Sequence, residues 1–553
     1  MPAWPAWRAL LSGRVALMRR CYRLLAGVMT LAMGGSWDWW PARAQAPGPR
    51  PGVTPGAEPG AGALSWGPCP ASMAAAAPLE CATLLVPRDH SRPDAERLPL
   101  TVWRLRATGP GPRLGTLVLL DGAPGAPDAL PLPAMARALP RALASRFDLV
   151  SWQRRGTGPR GQAAALHCWP SEAEARAWRD RLPPSLPLTA ADQGRWLESW
   201  VALASACGRH QGQLLPYLSS ADSAKDLELL RQALGEKGLR LRASGAASLV
   251  GATYANLFPA TLSALVLDGA ADPQAWADNG NPVALEGTGL RLETDLGAGA
   301  TLIAFLRRCA AVGRPRCAFA ASGPGGSPAA TERRWAELLA RLRQGPLRWG
   351  NRRLGAGEVF SRLVAQLASL PADGQGRGGW EGAARFLEAL ARGGAGEEAR
   401  AEAPLEEAPE QTLATLCGDS AQPRQLTAIQ ALAEGVRSRS GLLGPWVAWR
   451  DGRCAAWPTA AAPYSGPWNA PTRLPVLVIG HRFDPVLPFQ SALAMARELD
   501  RGLLLSVNGY GHTVLRNPSA CVARYETALF VSALLPPPGL VCPTDAAPFP
   551  ASP

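Results

Sequence analysis

Short apolar runs recur along the chain, and most of them end in a turn rich in glycine, proline or aspartate. This pattern is typical of buried β-strands. We predict strands at residues 82–87, 98–106, 115–120, 147–152, 239–242, 474–479 and 503–507, and another that ends at Asp268. A helical pattern at residues 134–144 separates two of these strands. The alternation predicts a mostly parallel central sheet with crossover helices on its faces.

The stretch from residue 474 to residue 513 combines two predicted strands with two residues of catalytic type. Asp484 lies in the turn after the first strand and His512 follows the second, with a helical pattern between them. Each residue alone has an ordinary explanation, Asp484 as a turn residue and His512 as a loop histidine with satisfied hydrogen bonds. Together, in this order and context, they are expected for the acid and the base of a Ser-His-Asp triad.

Four sequence motifs carry a family resemblance. They are ECATLLVPRDH at 80–90, GAPG at 122–125, FDLVSWQRRGTG at 147–158 and GATYANLFPATLSALVLDGAADP at 251–273. With these motifs the chain resembles the secreted tripeptidyl aminopeptidase and prolyl aminopeptidase branch of the α/β-hydrolases. The resemblance covers most of residues 65–273 and 415–542. It implies an α/β-hydrolase fold with flanking helices, a serine nucleophile, and a cap that limits substrates to a free peptide end.

The nucleophile position departs from that family. A G-x-S-x-G elbow keeps small residues two positions on either side of the serine, because the turn is tight. An ungapped register places Gly245 at the nucleophile position, with Ala243 and Ala247 at the small ones. Ser244 is one residue early, and its use would put Arg242 where a small residue is needed. Glycine has no atom that attacks a carbonyl, so the sequence predicts either a displaced Ser244 nucleophile or a hydrolase fold without one.

A glycine-rich turn follows the predicted strand at 115–120 and contains Ala123. Such a turn brings backbone N–H groups close to a substrate carbonyl, although an ordinary tight turn has the same composition. We predict oxyanion donors near Ala123 and Gly245. The resembling enzymes have GGPG where this chain has GAPG, so Ala123 is expected to be strained if that position requires a positive φ.

Residues 274–465 are expected to form a large helical cap. They divide a hydrolase core made of residues 65–273 and 466–553, and they would cover the carboxyl ends of the strands, where open α/β sheets bind ligands. By the resemblance, Asp419 matches a carboxylate expected to hold the terminal ammonium of a substrate. The alternative is a structural carboxylate near a disulfide.

Residues 1–44 are predicted to be a secretory signal peptide. Arginines precede an apolar run, an A-x-A cleavage pattern ends at Ala44, and translation starts at Met1 or at Met18. Cleavage near Ala44 leaves residues 45–64 as a flexible linker of Pro, Gly and Ala. The mature protein is therefore expected to be secreted or periplasmic.

The formal net charge of +13 does not indicate a nucleic-acid partner. The signal segment holds six arginines and one aspartate, so its removal leaves +8. The remaining arginines are scattered rather than clustered on one element. No other apolar stretch is long enough to span a bilayer. Neither metal-ligand spacing nor a phosphate loop is present, so we expect no metal and no organic cofactor.

Ten cysteines remain after the signal peptide, and none has CxxC spacing. An even set without zinc-type spacing favours disulfides in an oxidising compartment. Pairing in sequence order is our prediction, although sequence alone leaves the connectivity open.

Two functions of different class follow. The first is an exported serine exopeptidase that removes residues or short peptides from a free N-terminus through an acyl-enzyme. In it Ser244 is the displaced nucleophile, His512 the general base and Asp484 the group that orients the base. The second is a catalytically degenerate protein that binds peptides or small molecules under the cap. An esterase is a third candidate, because fold and triad do not distinguish an ester from an amide.

Overall fold

The structure is a computed structural model that describes residues 62–70, 78–123, 126, 129–278, 285–314, 316–321, 327–370, 378–394, 408–458 and 463–549. The predicted signal peptide and nearly all of the predicted linker lie outside the described residues. The described residues form one compact unit.

The strands are β1 (Gly67–Pro68), β2 (Glu80–Pro87), β3 (Arg97–Leu105), β4 (Thr116–Asp121), β5 (Asp148–Trp152), β6 (Leu239–Ser244), β7 (Leu262–Asp268), β8 (Leu347–Trp349), β9 (Arg352–Leu354), β10 (Val476–Phe483), β11 (Gly502–Tyr510) and β12 (Val541–Pro543).

The helices before β10 and after it are α1 (Leu132–Ala138), α2 (Arg141–Arg146), α3 (Glu172–Arg179), α4 (Ala190–Gln211), α5 (Ser220–Ala233), α6 (Ser248–Leu257), α7 (Pro273–Ala277), α8 (Thr288–Arg291), α9 (Thr294–Val312), α10 (Pro328–Gln344), α11 (Ala356–Leu367), α12 (Gly379–Ala391), α13 (Pro409–Asp419), α14 (Leu426–Gly435), α15 (Arg437–Ser440), α16 (Leu443–Asp451), α17 (Phe489–Glu498) and α18 (Ala520–Ser532).

The main sheet has ten strands within the described ranges, in the order β1-β2-β3-β5-β4-β6-β7-β10-β11-β12. The pairs β1–β2, β2–β3 and β3–β5 are antiparallel, and the pairs from β5 to β12 are parallel. The predicted fold class, a mostly parallel sheet with flanking helices, is confirmed. Because β4, β6, β7, β10 and β11 run parallel, their carboxyl ends meet at one edge of the sheet.

One predicted helix is divided in two. The helical pattern at residues 134–144 forms α1 and α2, which are separated at Leu139 and Pro140. Proline has no N–H to donate and it restricts the residue before it, so the helix stops there and a new one starts.

The two faces of the sheet bury separate sets of apolar side chains. In β6, Leu239, Leu241 and Ala243 belong to the larger core. Leu119 of β4 and Val266 of β7 belong to a second core, together with residues of α1, α2 and α18. Since side chains alternate along a strand, the residues of β6 between those in the larger core face the second core.

Helices α7–α16 and the β8–β9 hairpin lie between β7 and β10 in the chain. Together with the helices between β5 and β6 they form what we call the helical layer. Trp196 of α4 packs edge-on against Trp449 of α16 with ring centroids 5.0 Å apart. Gln411 of α13 donates to the carbonyl oxygen of Gly158, which precedes α3, at 2.9 Å. The segment between β5 and β6 therefore belongs to the same layer.

Among the described cysteines, five disulfides join residues that are consecutive in the set, as predicted. The pairs are Cys69–Cys81, Cys168–Cys207, Cys309–Cys317, Cys417–Cys454 and Cys521–Cys542.

Candidate active site

A sharp turn connects β6 to α6 at the carboxyl edge of the sheet. The chain leaves β6 at Ser244, turns at Gly245 with φ of +61°, and enters a short 3₁₀ turn, Gly245–Ala247, before α6. The left-handed region suits glycine because a Cβ is strained there. A Cβ added to Gly245 would lie 2.8 Å from Nε2 of His512. The position that faces the base in a nucleophile elbow is therefore occupied by Gly245.

Asp484 and His512, the predicted acid and base, are hydrogen-bonded to each other. Oδ2 of Asp484 lies 2.8 Å from Nδ1 of His512. The other oxygen, Oδ1, accepts hydrogen bonds from the backbone N–H groups of Val486 and Leu487 at 2.8 and 3.0 Å, which fixes the carboxylate in the turn after β10. Burial by itself would lower the pKa of His512, but the adjacent Asp484 carboxylate outweighs it and raises the pKa above its usual value.

The loop that carries His512 is held by a residue after α11. The backbone N–H of His512 donates to the carbonyl oxygen of Ala368 at 2.8 Å, and Nδ2 of Asn517 donates to the same oxygen at 3.1 Å. Oδ1 of Asn517 accepts from the N–H of Leu370 at 2.8 Å. The inserted helical region thus positions the base directly.

Ser244 faces the second core and not the base. Its Oγ accepts a hydrogen bond from Arg242, the residue two positions earlier on the same face of β6. Arg242 is itself paired with Asp268 at 2.7 Å and with Glu526 of α18 at 3.0 Å. Ser244 is fully buried, and within the described residues no hydrogen bond joins it to His512. The structure brings Ser244 into an ionic cluster beneath the elbow.

The oxyanion turn lies against the elbow, but its positive φ is at Gly122. Gly122 has φ of +65°, and its Cα is 3.8 Å from the position of a Cβ on Gly245. The N–H of Gly122 donates to the carbonyl oxygen of Ser244 at 3.0 Å. Ala123 does not have a positive φ, so the strain expected from GAPG is absent. The condition for that strain is not met, because the left-handed residue is the glycine that precedes Ala123.

Asp419 supports the start of a helix. Its Oδ1 accepts from the N–H of Ser220 at 2.7 Å and its Oδ2 accepts from the Ser220 hydroxyl at 2.6 Å, at the first residue of α5. Burial raises the pKa of Asp419 to about 7, against these two hydrogen bonds. Both oxygens are therefore engaged inside the protein.

Sequence reasoning missed several residues that build this site. Arg154 donates to the carbonyl oxygens of Gly122 and Asp121 at 2.9 and 3.3 Å and so braces the oxyanion turn. Burial lowers the pKa of Arg154 to about 10. Ala246 follows the elbow residue, the place that supplies an oxyanion N–H in this fold. Arg154 could have been found from its place in the motif at 147–158, and Ala246 from the strict register of the elbow. Nothing in the sequence indicated the ion pairs of Arg242.

Metal-binding clusters and membrane-spanning helices are both absent from the described ranges. No cluster of three or more His, Cys, Asp or Glu side chains in them could hold a metal ion. No helix there has the length and apolar character to cross a membrane.

The ordered parallel sheet, the strand–turn–helix elbow and the Asp484–His512 pair at the strand ends define an α/β-hydrolase fold. Residues 441–542 match the protein family described as "TAP-like protein".

Curated relatives extend over more of the chain. The "Serine protease Hip1" of Mycobacterium tuberculosis is 26% identical over 561 residues, covering 97% of each chain. The "Tripeptidyl aminopeptidase" of Streptomyces lividans is 28% identical over 235 residues, covering 40% of this chain and 42% of the relative. The "Carboxylesterase B" of M. tuberculosis is 28% identical over 480 residues, covering 84% and 86%. Among solved structures, an esterase from Thermogutta terrifontis aligns with 13% identity and a TM-score of 0.30 over 77% of this chain and 91% of the other. The predicted resemblance to the tripeptidyl aminopeptidase branch is confirmed, and the chain is similar in sequence to serine peptidases of the α/β-hydrolase fold.

Proposed function

We propose that this protein binds peptides under its helical layer and does not form an acyl-enzyme on serine. The observation that carries the proposal is that Gly245 occupies the elbow position facing the base. A Cβ added there would lie 2.8 Å from Nε2 of His512. A serine hydroxyl within hydrogen-bond reach of the base is required for nucleophilic attack on a carbonyl. Peptides are the proposed ligand because two relatives are named as a serine protease and a tripeptidyl aminopeptidase.

Hydrolysis through Ser244 is the second candidate, and the retained acid–base pair favours it. Asp484 still holds His512 at 2.8 Å, an arrangement that serves general-base catalysis. For attack, the Ser244 hydroxyl would have to leave Arg242 and cross from the second core to the side of His512. That movement would break a hydrogen bond inside a fully buried ionic cluster, which is why we place binding first.

A fluorophosphonate probe separates the two candidates, because it labels a serine only where a base and an oxyanion site are adjacent. If the protein binds without acylation, the wild-type protein stays unlabelled. Labelling at Ser244 that disappears in Ser244→Ala and in His512→Ala, but persists in the matched surface variant Ser438→Ala, would establish the peptidase instead.

The ligand is proposed to present a free N-terminus to the part of the helical layer that residues 274–465 contribute. Asp419 is not assigned to this contact, because both of its oxygens are bonded to Ser220. We propose that Asp419 fixes the start of α5. Titration calorimetry with a tripeptide and its N-acetylated form tests the free-end requirement, since acetylation removes the ammonium. Equal affinity for both forms would exclude that requirement and would turn attention to an ester or another ligand.

Export is proposed from the predicted signal peptide, with cleavage near Ala44. The five disulfides support it, because thiols are kept reduced in the cytosol. Intact mass of the protein from the culture medium or the periplasm tests the start, expected at Gln45. Alkylation without reduction should add no mass, and alkylated thiols in the native protein would contradict the pairing.

A further inference from the structure

A cavity borders the turn that carries Asp484. It has a volume of about 590 Å³, is open to solvent on one side, and is lined by the start of α9, the turn between β10 and α17, and the strands β11 and β12. This volume is within the range of small-molecule sites. Gly122, Gly245 and His512 are not part of its lining. The cavity therefore adjoins the candidate active site through Asp484 but does not include the elbow or His512.

The wall of this cavity is mainly apolar. Leu296 and Val541 line it and remain 37% and 57% exposed, although apolar side chains of this size are usually covered. Ala300 lines it one turn further along α9, and the exposed Ile303 follows on the same face of that helix. An apolar group of a ligand would remove this surface from water.

Two opposite charges line the same cavity. Arg482 and Glu293 are both exposed, and within the described residues neither makes an ion pair or a side-chain hydrogen bond. They do not pair with each other either. Glu293 and Arg439 attract each other electrostatically without forming an ion pair, so both side chains are available to a ligand. Asp484 also borders the cavity, but its carboxylate oxygens are already bonded to His512 and to two backbone N–H groups.

We infer that this cavity is a binding site for a short apolar peptide or apolar amino acid in its zwitterionic form. The carboxylate of the ligand binds the guanidinium of Arg482, the ammonium binds Glu293, and the apolar side chains cover Leu296 and Val541. A guanidinium and a carboxylate form a charge-assisted pair with directional hydrogen bonds. An uncharged apolar molecule would leave both charges unused, and a simple fatty acid would leave Glu293 facing an apolar chain.

Calorimetry with leucyl-leucine on the full-length protein tests the inference. Arg482→Gln and Glu293→Gln are each expected to weaken binding about tenfold, since each removes one charge-assisted contact. Arg497→Gln is the matched control, because it removes an exposed arginine from α17 that does not line the cavity. It should bind as the wild type does. Unfolding temperatures of the three variants establish that they are folded, and Arg482→Lys should restore part of the affinity.

Blocked peptides complete a thermodynamic cycle. Amidation of the carboxyl end should weaken binding to the wild type but not weaken it further in Arg482→Gln. Acetylation of the amino end should likewise weaken binding to the wild type but not weaken it further in Glu293→Gln. Absence of binding to the wild type, or affinities that neither substitution changes, would overturn the inference. A peptide that binds only under the helical layer would give affinities that neither substitution changes. That result would overturn this inference and leave the proposed function standing, so the two tests can fail independently.

Discussion

Replacement of Gly245 by serine restores the group that the elbow lacks, and the structure gives the cost. An O–H···N hydrogen bond of about 2.8 Å places the serine Cβ about 3.5 Å from the nitrogen. A Cβ built on the backbone of Gly245 lies only 2.8 Å from Nε2 of His512. The imidazole must therefore retreat by about 0.7 Å before it can accept this hydrogen bond. A residue with a Cβ at φ of +61° adds backbone strain, and we expect Gly245→Ser to lose about 1–3 kcal/mol of stability.

Despite this loss, Gly245→Ser should react with the fluorophosphonate probe, because Asp484 and His512 are already paired. Labelling should become faster as the pH rises through the pKa of His512, since only neutral imidazole accepts the serine proton. That pKa is raised, so the increase should occur above the usual histidine range.

Gly245→Ala is the matched control for this experiment. It carries the same Cβ and the same backbone strain without a hydroxyl, so it should be destabilised to a similar extent and remain unlabelled. A double variant, Gly245→Ser with His512→Ala, should relieve the contact and also remain unlabelled. If Gly245→Ser is folded and unreactive at every pH, the elbow is not aligned with the base. Labelling of the wild type at Ser244 would refute the assignment of Gly245 as the nucleophile position.

Three further predictions concern the charges around the site. In Asp484→Asn, the pKa of His512 measured by NMR should fall below its usual value, because burial then acts without the carboxylate; an unchanged pKa would contradict the pairing. The stability of the wild type should decrease as the pH rises from about 4 towards 7 through the titration of Asp419, because the folded protein holds that proton more tightly than the unfolded chain does. Asp419→Asn should flatten this part of a denaturation–pH profile, and a profile that keeps its slope would exclude the effect. Arg242→Met should lower the free energy of unfolding by about 3–5 kcal/mol, measured by urea denaturation, because it leaves Asp268 buried without its cation; a loss below 1 kcal/mol would show that the pair is not important for stability.

The pattern of apolar residues predicted eight of the ten strands of the main sheet, and the short edge strands β1 and β12 were not predicted. Strands that are buried on both faces appear as apolar runs, and each predicted run corresponds to a strand of the structure. Asp484 and His512 could be identified because each follows a strand of a parallel sheet, whose carboxyl ends lie at one edge. The register of the elbow also came from the sequence, since small residues are needed around a tight turn.

Side-chain direction and pairing required the tertiary structure. The sequence showed that Ser244 lies next to the elbow position, but only the alternation of β6 between two cores shows that it faces Arg242 and Asp268. Asp419 matched a motif for ligand binding, whereas its oxygens are bonded to Ser220, a residue 199 positions away in the chain.

By itself, then, the sequence predicted eight strands of the main sheet in their order, the cysteine set, the candidate acid and base, and a glycine at the strict register of the elbow. These follow from local periodicity and spacing, which are properties of neighbouring residues. The tertiary structure decided which face of the sheet receives each polar side chain, where the positive φ of the oxyanion turn falls, and that Ala368 holds the loop of His512. Such contacts join residues far apart in the chain, and their partners are fixed only when the sheet and the helical layer pack together.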